Sequence, residues 1–306
     1  MKTSPHDGVI VPLVTPATAD GRLDESGAER LVAHVAGHGC GLLIAGTTGE
    51  VASLPDSVRR RFVEIAVRVA AGRVPVLACI AHNCFADSVA LARDHLRTGA
   101  DAVVGMLPNY FKLEPAEMQR YFEQLAAATP GPLYLYNIPA TVGMSIPLEV
   151  FAALSARENI IGLKDSEATP GRKEALAERF AGRADFALFM GAAAHSAAAM
   201  RIGFRGFVPS SGNLRPDLAA RLYAAARAGD WAQAEQLQRD SDAVTAVYQK
   251  GRTLGQSLAA LKAALHLQGV CGPEMFSPLA PLSPESRTGL RTDLDSLPCP
   301  PCPACR

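Results

Sequence analysis

The sequence predicts an α/β protein built as a (β/α)8 barrel, or TIM barrel, with a C-terminal helical appendage, and three observations predict it. Eight short apolar, β-branched runs recur at similar intervals, each bounded by turn residues. Between them lie amphipathic segments whose apolar residues repeat at helical spacing, with Pro or Asp near their starts. The runs are apolar on both faces, as strands are when helices cover a closed parallel sheet. An open doubly wound sheet is the alternative. Against it, no Gly-x-Gly-x-x-Gly follows the first run, which passes directly into Thr15-Pro16.

The elements follow in order. Val9–Val14 is the first strand by its β-branched content, and Glu25–Ala36 is the first helix. Gly41–Ala45 is the second strand, followed by Gly46-Thr47-Thr48-Gly49-Glu50 and then the helix Asp56–Ala71 behind Pro55. Strands at Val74–Ile80, Ala102–Leu107, Pro132–Tyr136 and Ile160–Lys164 alternate with helices at Ala86–Thr98, Pro115–Ala128, Pro147–Ala156 and Gly171–Phe180. Phe186–Met190 and Gly206–Pro209 complete the eight strands. Beyond about residue 214 only helical periodicity remains, in Pro216–Ala228, Trp231–Gln249 and Leu254–Leu267, with Asp230 placed to cap the second. A last helix is expected at Pro284–Leu294. The expected division is a catalytic barrel over 1–225, a helical domain over 226–296 and a Pro/Cys-rich, disordered tail over 297–306.

Composition narrows the function classes. A chain of 306 residues that is 48% hydrophobic and 20% charged buries a large core, which excludes a disordered or fibrous class. Thirty basic residues balance thirty acidic ones, so no global field recruits nucleic acid or an anionic membrane, and small molecules are the expected partners. No apolar stretch approaches the roughly 20 residues that span a bilayer, and the first residues lack the apolar core of a signal peptide. A cytoplasmic protein is expected. Cys40, Cys79, Cys84 and Cys271 read as reduced core thiols. Cys299, Cys302 and Cys305 share the tail with several prolines, where a silent segment is favoured over a metal site because zinc normally needs four ligands.

The chemistry-bearing residues gather at the carboxyl ends of the predicted strands, the functional face of a parallel barrel. Thr47 and Thr48 follow the second strand, Tyr110 the fourth, and Tyr136 and Lys164 close the fifth and sixth. A lysine closing a buried strand is costly to keep charged, which favours a neutral, nucleophilic amine that forms Schiff bases. A lone lysine there would more often step out into solvent. Gly46 and Gly49 bracket two threonines whose hydroxyls and N–H groups can hold a carboxylate, although such a loop alone also reads as an ordinary turn. Tyr136 alone would be a core aromatic. It is the coincidence of all these residues at one end of the barrel that points to a carbonyl-condensing site.

From about Gly8 to Leu282 the sequence resembles the dihydrodipicolinate synthase and N-acetylneuraminate lyase family of class I pyruvate aldolases. The resemblance rests on Val14-Thr15-Pro16 with Ala19-Asp20-Gly21, Gly46-Thr-Thr-Gly-Glu50, Pro108-Asn-Tyr-Phe111, Tyr136-Asn-Ile-Pro139 and Gly162-Leu-Lys-Asp165. It implies an imine between Lys164 and pyruvate, the pyruvate carboxylate on Thr47 and Thr48, and Tyr136 as proton carrier. It also implies that Tyr110 crosses a dimer contact to join Thr48 and Tyr136 in a relay. A homodimer is then the minimal unit, commonly paired into a homotetramer. No cofactor or metal is implied beyond the covalent imine. Thr141, Gly191, Val208 and Ser210 are the expected substrate-binding residues.

Two places in the chain depart from the family pattern. Lysine-biosynthetic members carry an arginine two residues after the proline of Tyr-Asn-x-Pro, where this chain has Thr141, and a hydroxyl cannot pair bidentately with a carboxylate. Sialic-acid lyases carry an acidic pair where this chain has Ala193-Ala194. The expectation is therefore cleavage of a 2-keto-3-deoxy sugar acid to pyruvate and an aldehyde. The alternatives are a 4-hydroxy-tetrahydrodipicolinate synthase, which condenses pyruvate with aspartate semialdehyde, and a catalytically silent keto-acid-binding protein.

Overall fold

The computed structural model describes residues 6–297. Eight parallel strands close into a barrel in sequence order: β1 Gly8–Pro12, β2 Gly41–Ile44, β3 Val76–Cys79, β4 Ala102–Met106, β5 Leu133–Asn137, β6 Ile160–Asp165, β7 Ala187–Met190 and β8 Gly206–Phe207. Several are shorter than their apolar runs because proline has no N–H for the ladder. Thus β1 ends at Pro12, β3 begins after Pro75, β5 begins after Pro132 and β8 stops short of Pro209. Closure pairs Gly8 with Gly206 and Val9 with Phe207. Only glycine fits at 206, since a Cβ there would lie 1.9 Å from the Gly8 carbonyl oxygen.

The helices are α1 Glu25–Ala36, α2 Asp56–Ala70, α3 Phe85–Thr98, α4 Pro115–Ala128, α5 Pro139–Val142, α6 Leu148–Leu154, α7 Arg172–Phe180, α8 Ser196–Arg201, α9 Pro216–Arg227, α10 Trp231–Gln249, α11 Leu254–Leu267 and α12 Pro284–Asp295. Asp24 and Asp230 cap α1 and α10 by accepting from the Gly27 and Gln233 N–H groups. α5 and α8 are additions to the elements read from sequence. Each is too short to show a helical period.

The apolar core begins inside the barrel and continues outward. Leu42, Leu43 and Ile44 on β2 and Phe62 on α2 are buried, each contributing about 1.5–3 kcal/mol. The same core extends through Leu218 on α9, Val244 on α10 and Leu261 on α11. α9 packs against β1, so it completes the helical layer before α10 and α11. Buried Asn213 stitches the end of β8's loop to β1, donating to the Pro12 carbonyl at 2.9 Å and accepting from the Val14 N–H at 3.1 Å. These contacts fix the barrel's carboxyl rim. Cys40, Cys79 and Cys271 are buried thiols, as expected, whereas Cys84 is exposed because it stands just ahead of α3 at the surface. Cys299, Cys302 and Cys305 lie outside the described residues. Among the described residues no helix is long and apolar enough to cross a membrane.

Candidate active site

A cleft of about 700 Å³ opens at the carboxyl ends of the strands, and its lining includes Thr47, Thr48, Tyr136, Lys164, Gly191, Val208 and Ser210. Neighbouring residues of a strand point to opposite faces, so Lys164 enters the cleft while Asp165 turns outward to α7. Lys164 is 7% exposed and Tyr136 3%. The Lys164 Nζ sits 3.9 Å from the centre of the Tyr136 ring. Ser166 Oγ lies 3.5 Å from the Tyr136 hydroxyl, and its room comes from Gly191, where a Cβ would approach it to 2.0 Å. The Thr47 hydroxyl oxygen is buried without a partner among the described residues, leaving it available to a ligand.

Three predicted residues stand differently from the rest. Tyr110 is 78% exposed, packed edge-on against Phe111, and does not line the cleft. Thr141 faces an adjacent cavity of about 530 Å³ that shares Thr47 with the cleft, because the turn of α5 directs its hydroxyl toward the Ile138 carbonyl, 3.4 Å away. Thr141 thus lines the cavity next to the cleft rather than the cleft itself. Ala140 lines the cleft in its place. The Ser210 hydroxyl lies 2.7 Å from that of Tyr248 on α10, so it already has a partner.

Sequence reasoning assigned no role to a charged network directly behind Lys164. Arg172, opening α7, reaches Asp165 Oδ2 through Nε at 3.0 Å and Nη2 at 2.9 Å, and Glu167 Oε2 at 3.2 Å. Asn137 donates to both carboxylates, and the Glu167 N–H donates to Asp165. Burial pushes the Asp165 carboxyl up, opposed by the Arg172 charge. Burial works the same way on Glu167, but bonds from Ser145, Asn137 and Thr169 hold it below the usual range. The signal was present: the Asp165 carboxylate sits in the strand beside Lys164, and a buried carboxylate needs a partner. The outer wall adds His195, Asp242, Gln249 and Lys250, the last three from α10 and its end. Among the described residues no group of three or more His, Cys, Asp or Glu side chains is arranged to hold a metal ion.

A model of the Dihydrodipicolinate synthetase family matches residues 5–297. The chain belongs to the dihydrodipicolinate synthetase family. Similar relatives include a 4-hydroxy-tetrahydrodipicolinate synthase of Gluconacetobacter diazotrophicus, 34% identical across 96% of this chain and 98% of that protein. Another, from Methanosarcina barkeri, is 29% identical across 95% and 98%. Among solved structures, the dihydrodipicolinate synthase of Bacteroides thetaiotaomicron superposes with a TM-score of 0.91 at 32% identity, covering 96% of this chain and all of that one. YagE of Escherichia coli K12, a prophage protein of the dihydrodipicolinic acid synthase family solved with pyruvate, gives 0.89 at 29% identity, covering 95% and 98%. The expected family, barrel and class I lyase chemistry all hold. The names of these relatives favour the synthase alternative over the sugar-acid reading.

Proposed function

We propose that the chain makes or breaks a carbon–carbon bond through an imine between Lys164 and the ketone of pyruvate. The observation that carries this is the Lys164 amine in a cleft, against the Tyr136 ring at 3.9 Å, with the threonine loop lining the same cleft. The amine adds to the ketone carbon and water leaves. The resulting protonated imine draws electrons from the adjacent methyl, whose proton departs to give an enamine nucleophile. Tyr136 carries protons, and Thr47 and Thr48 hold the carboxylate. In the reverse direction the imine accepts the electrons released when the bond breaks.

For the second substrate, the relatives' names support condensation with aspartate semialdehyde, as in 4-hydroxy-tetrahydrodipicolinate synthase. A specific observation supports cleavage of a 2-keto-3-deoxy acid as the second reading. The cleft lining contains no arginine among the described residues, and Ala140, Ala168, Ala192, Ala193 and Ala194 occupy its wall. The test is the ratio of kcat/KM values for aspartate semialdehyde with pyruvate and for a 2-keto-3-deoxy sugar acid. A ratio above one supports the synthase, and a ratio below one the second reading. A homodimer completes the site through Tyr110 in this proposal, with two dimers forming a tetramer; the exposed Tyr110-Phe111 pair supports it.

A further inference from the structure

We infer that a buried ion pair between Glu50 and Lys262 holds the threonine loop in its binding geometry, making both positioning residues. The inference rests on the proposed role of Thr47 and Thr48 toward the pyruvate carboxylate. Glu50 closes the Gly46–Glu50 loop, whereas Lys262 lies on α11, far along the chain. Both side chains are fully buried, and Lys262 Nζ contacts Glu50 Oε1. The other carboxylate oxygen accepts from the Phe276 N–H at 2.9 Å, and Nζ also donates to the Glu274 carbonyl at 2.7 Å. The loop is thus tied to α11 and to the segment that follows it.

The loop needs such a tie. Ala45 at φ 54° and Glu50 at φ 63° bracket it in the left-handed region, which residues with a Cβ avoid for steric reasons. Within the loop the Val51 N–H donates to the Gly46 carbonyl at 3.2 Å, and Thr15 donates to the Gly49 carbonyl at 2.7 Å. Those bonds set the loop's inner side, and Glu50 sets its outer end. Strained backbone persists where surrounding contacts over-determine it, and it gathers at sites where the geometry is used. Two charges enclosed this fully stabilise a fold little better than apolar side chains of similar size would. Stability alone therefore does not account for an ion pair at this place, whereas fixing Glu50 in its left-handed conformation does. The Thr47 hydroxyl, buried and unpartnered among the described residues, is the group whose aim depends on it.

The test uses the full-length protein, pyruvate and borohydride, reading by intact mass the pyruvate concentration that gives half-maximal adduct. The variants are Lys262→Met and the double variant Glu50→Gln with Lys262→Met, which removes both charges yet keeps an acceptor for the Phe276 N–H. The expected result is a rise of about tenfold in the half-saturating concentration for both, as for loss of one well-aimed bond to a charged ligand. The double variant should melt higher than Lys262→Met and still bind pyruvate weakly. If Lys262→Met does not fold, the double variant alone decides. A purely structural pair would lower the fraction of protein that can be trapped and leave the half-saturating concentration at the wild-type value, and that result overturns the inference. Absence of any adduct in wild type would instead overturn the reading of Lys164, and the loop's proposed role with it.

Discussion

Replacing Arg172 by Met should destabilise the protein strongly at neutral pH and much less in mild acid. Asp165 is 1% exposed and Arg172 10%, with two nitrogens of the guanidinium within 3.0 Å of one carboxylate oxygen. Removing one partner of such a pair costs about 3–5 kcal/mol, because the other charge stays buried. The pH dependence follows from the directions of the shifts. Burial already raises the Asp165 carboxyl, and the Arg172 charge pulls it back. Without that charge the folded variant holds its proton to higher pH than the unfolded chain does. The contribution of this carboxyl to stability is then fully present below its unfolded pKa and is lost as pH rises through the folded pKa, at up to about 1.4 kcal/mol per unit. Urea unfolding of wild type and variant at pH 7.5 and 5.5 should show the gap between them narrowing at the lower pH. A gap of the same size at both values would refute the reasoning.

Tyr136→Phe should lower kcat by about 10²–10⁴-fold while leaving borohydride trapping of pyruvate intact, since it removes the proton carrier and not the amine; loss of trapping would contradict that assignment. His95 is fully buried with neither ring nitrogen partnered among the described residues, and burial followed by the Arg60 charge pushes it down to about 4. Its stabilising effect is complete above the unfolded value and lost as pH falls toward 4, up to about 3 kcal/mol, so His95→Leu should flatten that acid limb in urea titrations. An unchanged limb would exclude His95 as its source. Mixing inactive Tyr110→Phe with inactive Lys164→Ala should restore some turnover in hybrid dimers, and no recovery after demonstrated subunit exchange would count against Tyr110 acting across the contact.

The strands were legible as short apolar runs bounded by turn residues and most helices by their local period, and Thr47, Thr48, Tyr136 and Lys164 stood out because they sit in short motifs at strand ends. The partners of Asp165 and Glu50 were not. Arg172 and Lys262 each stand on a helix among residues of ordinary helical pattern, and only the closed barrel brings them against their carboxylates. Lys262 does carry a faint signal, since α11 is apolar around much of its surface and a charge in such a helix needs a buried partner. Thr141 shows the opposite limit. Its position in a motif was readable, but the single turn of α5 that aims it into the neighbouring cavity was too short to leave a period. The charged groups along the outer wall, Asp242 and Lys250, come from beyond the barrel strands, where no strand-end rule points.

The most direct measurement is borohydride reduction of the full-length protein with pyruvate, followed by intact mass and peptide mapping. The account predicts a stable three-carbon adduct on Lys164 in wild type and none in Lys164→Ala. An adduct undiminished in Lys164→Ala, or mapped to another lysine, would contradict it.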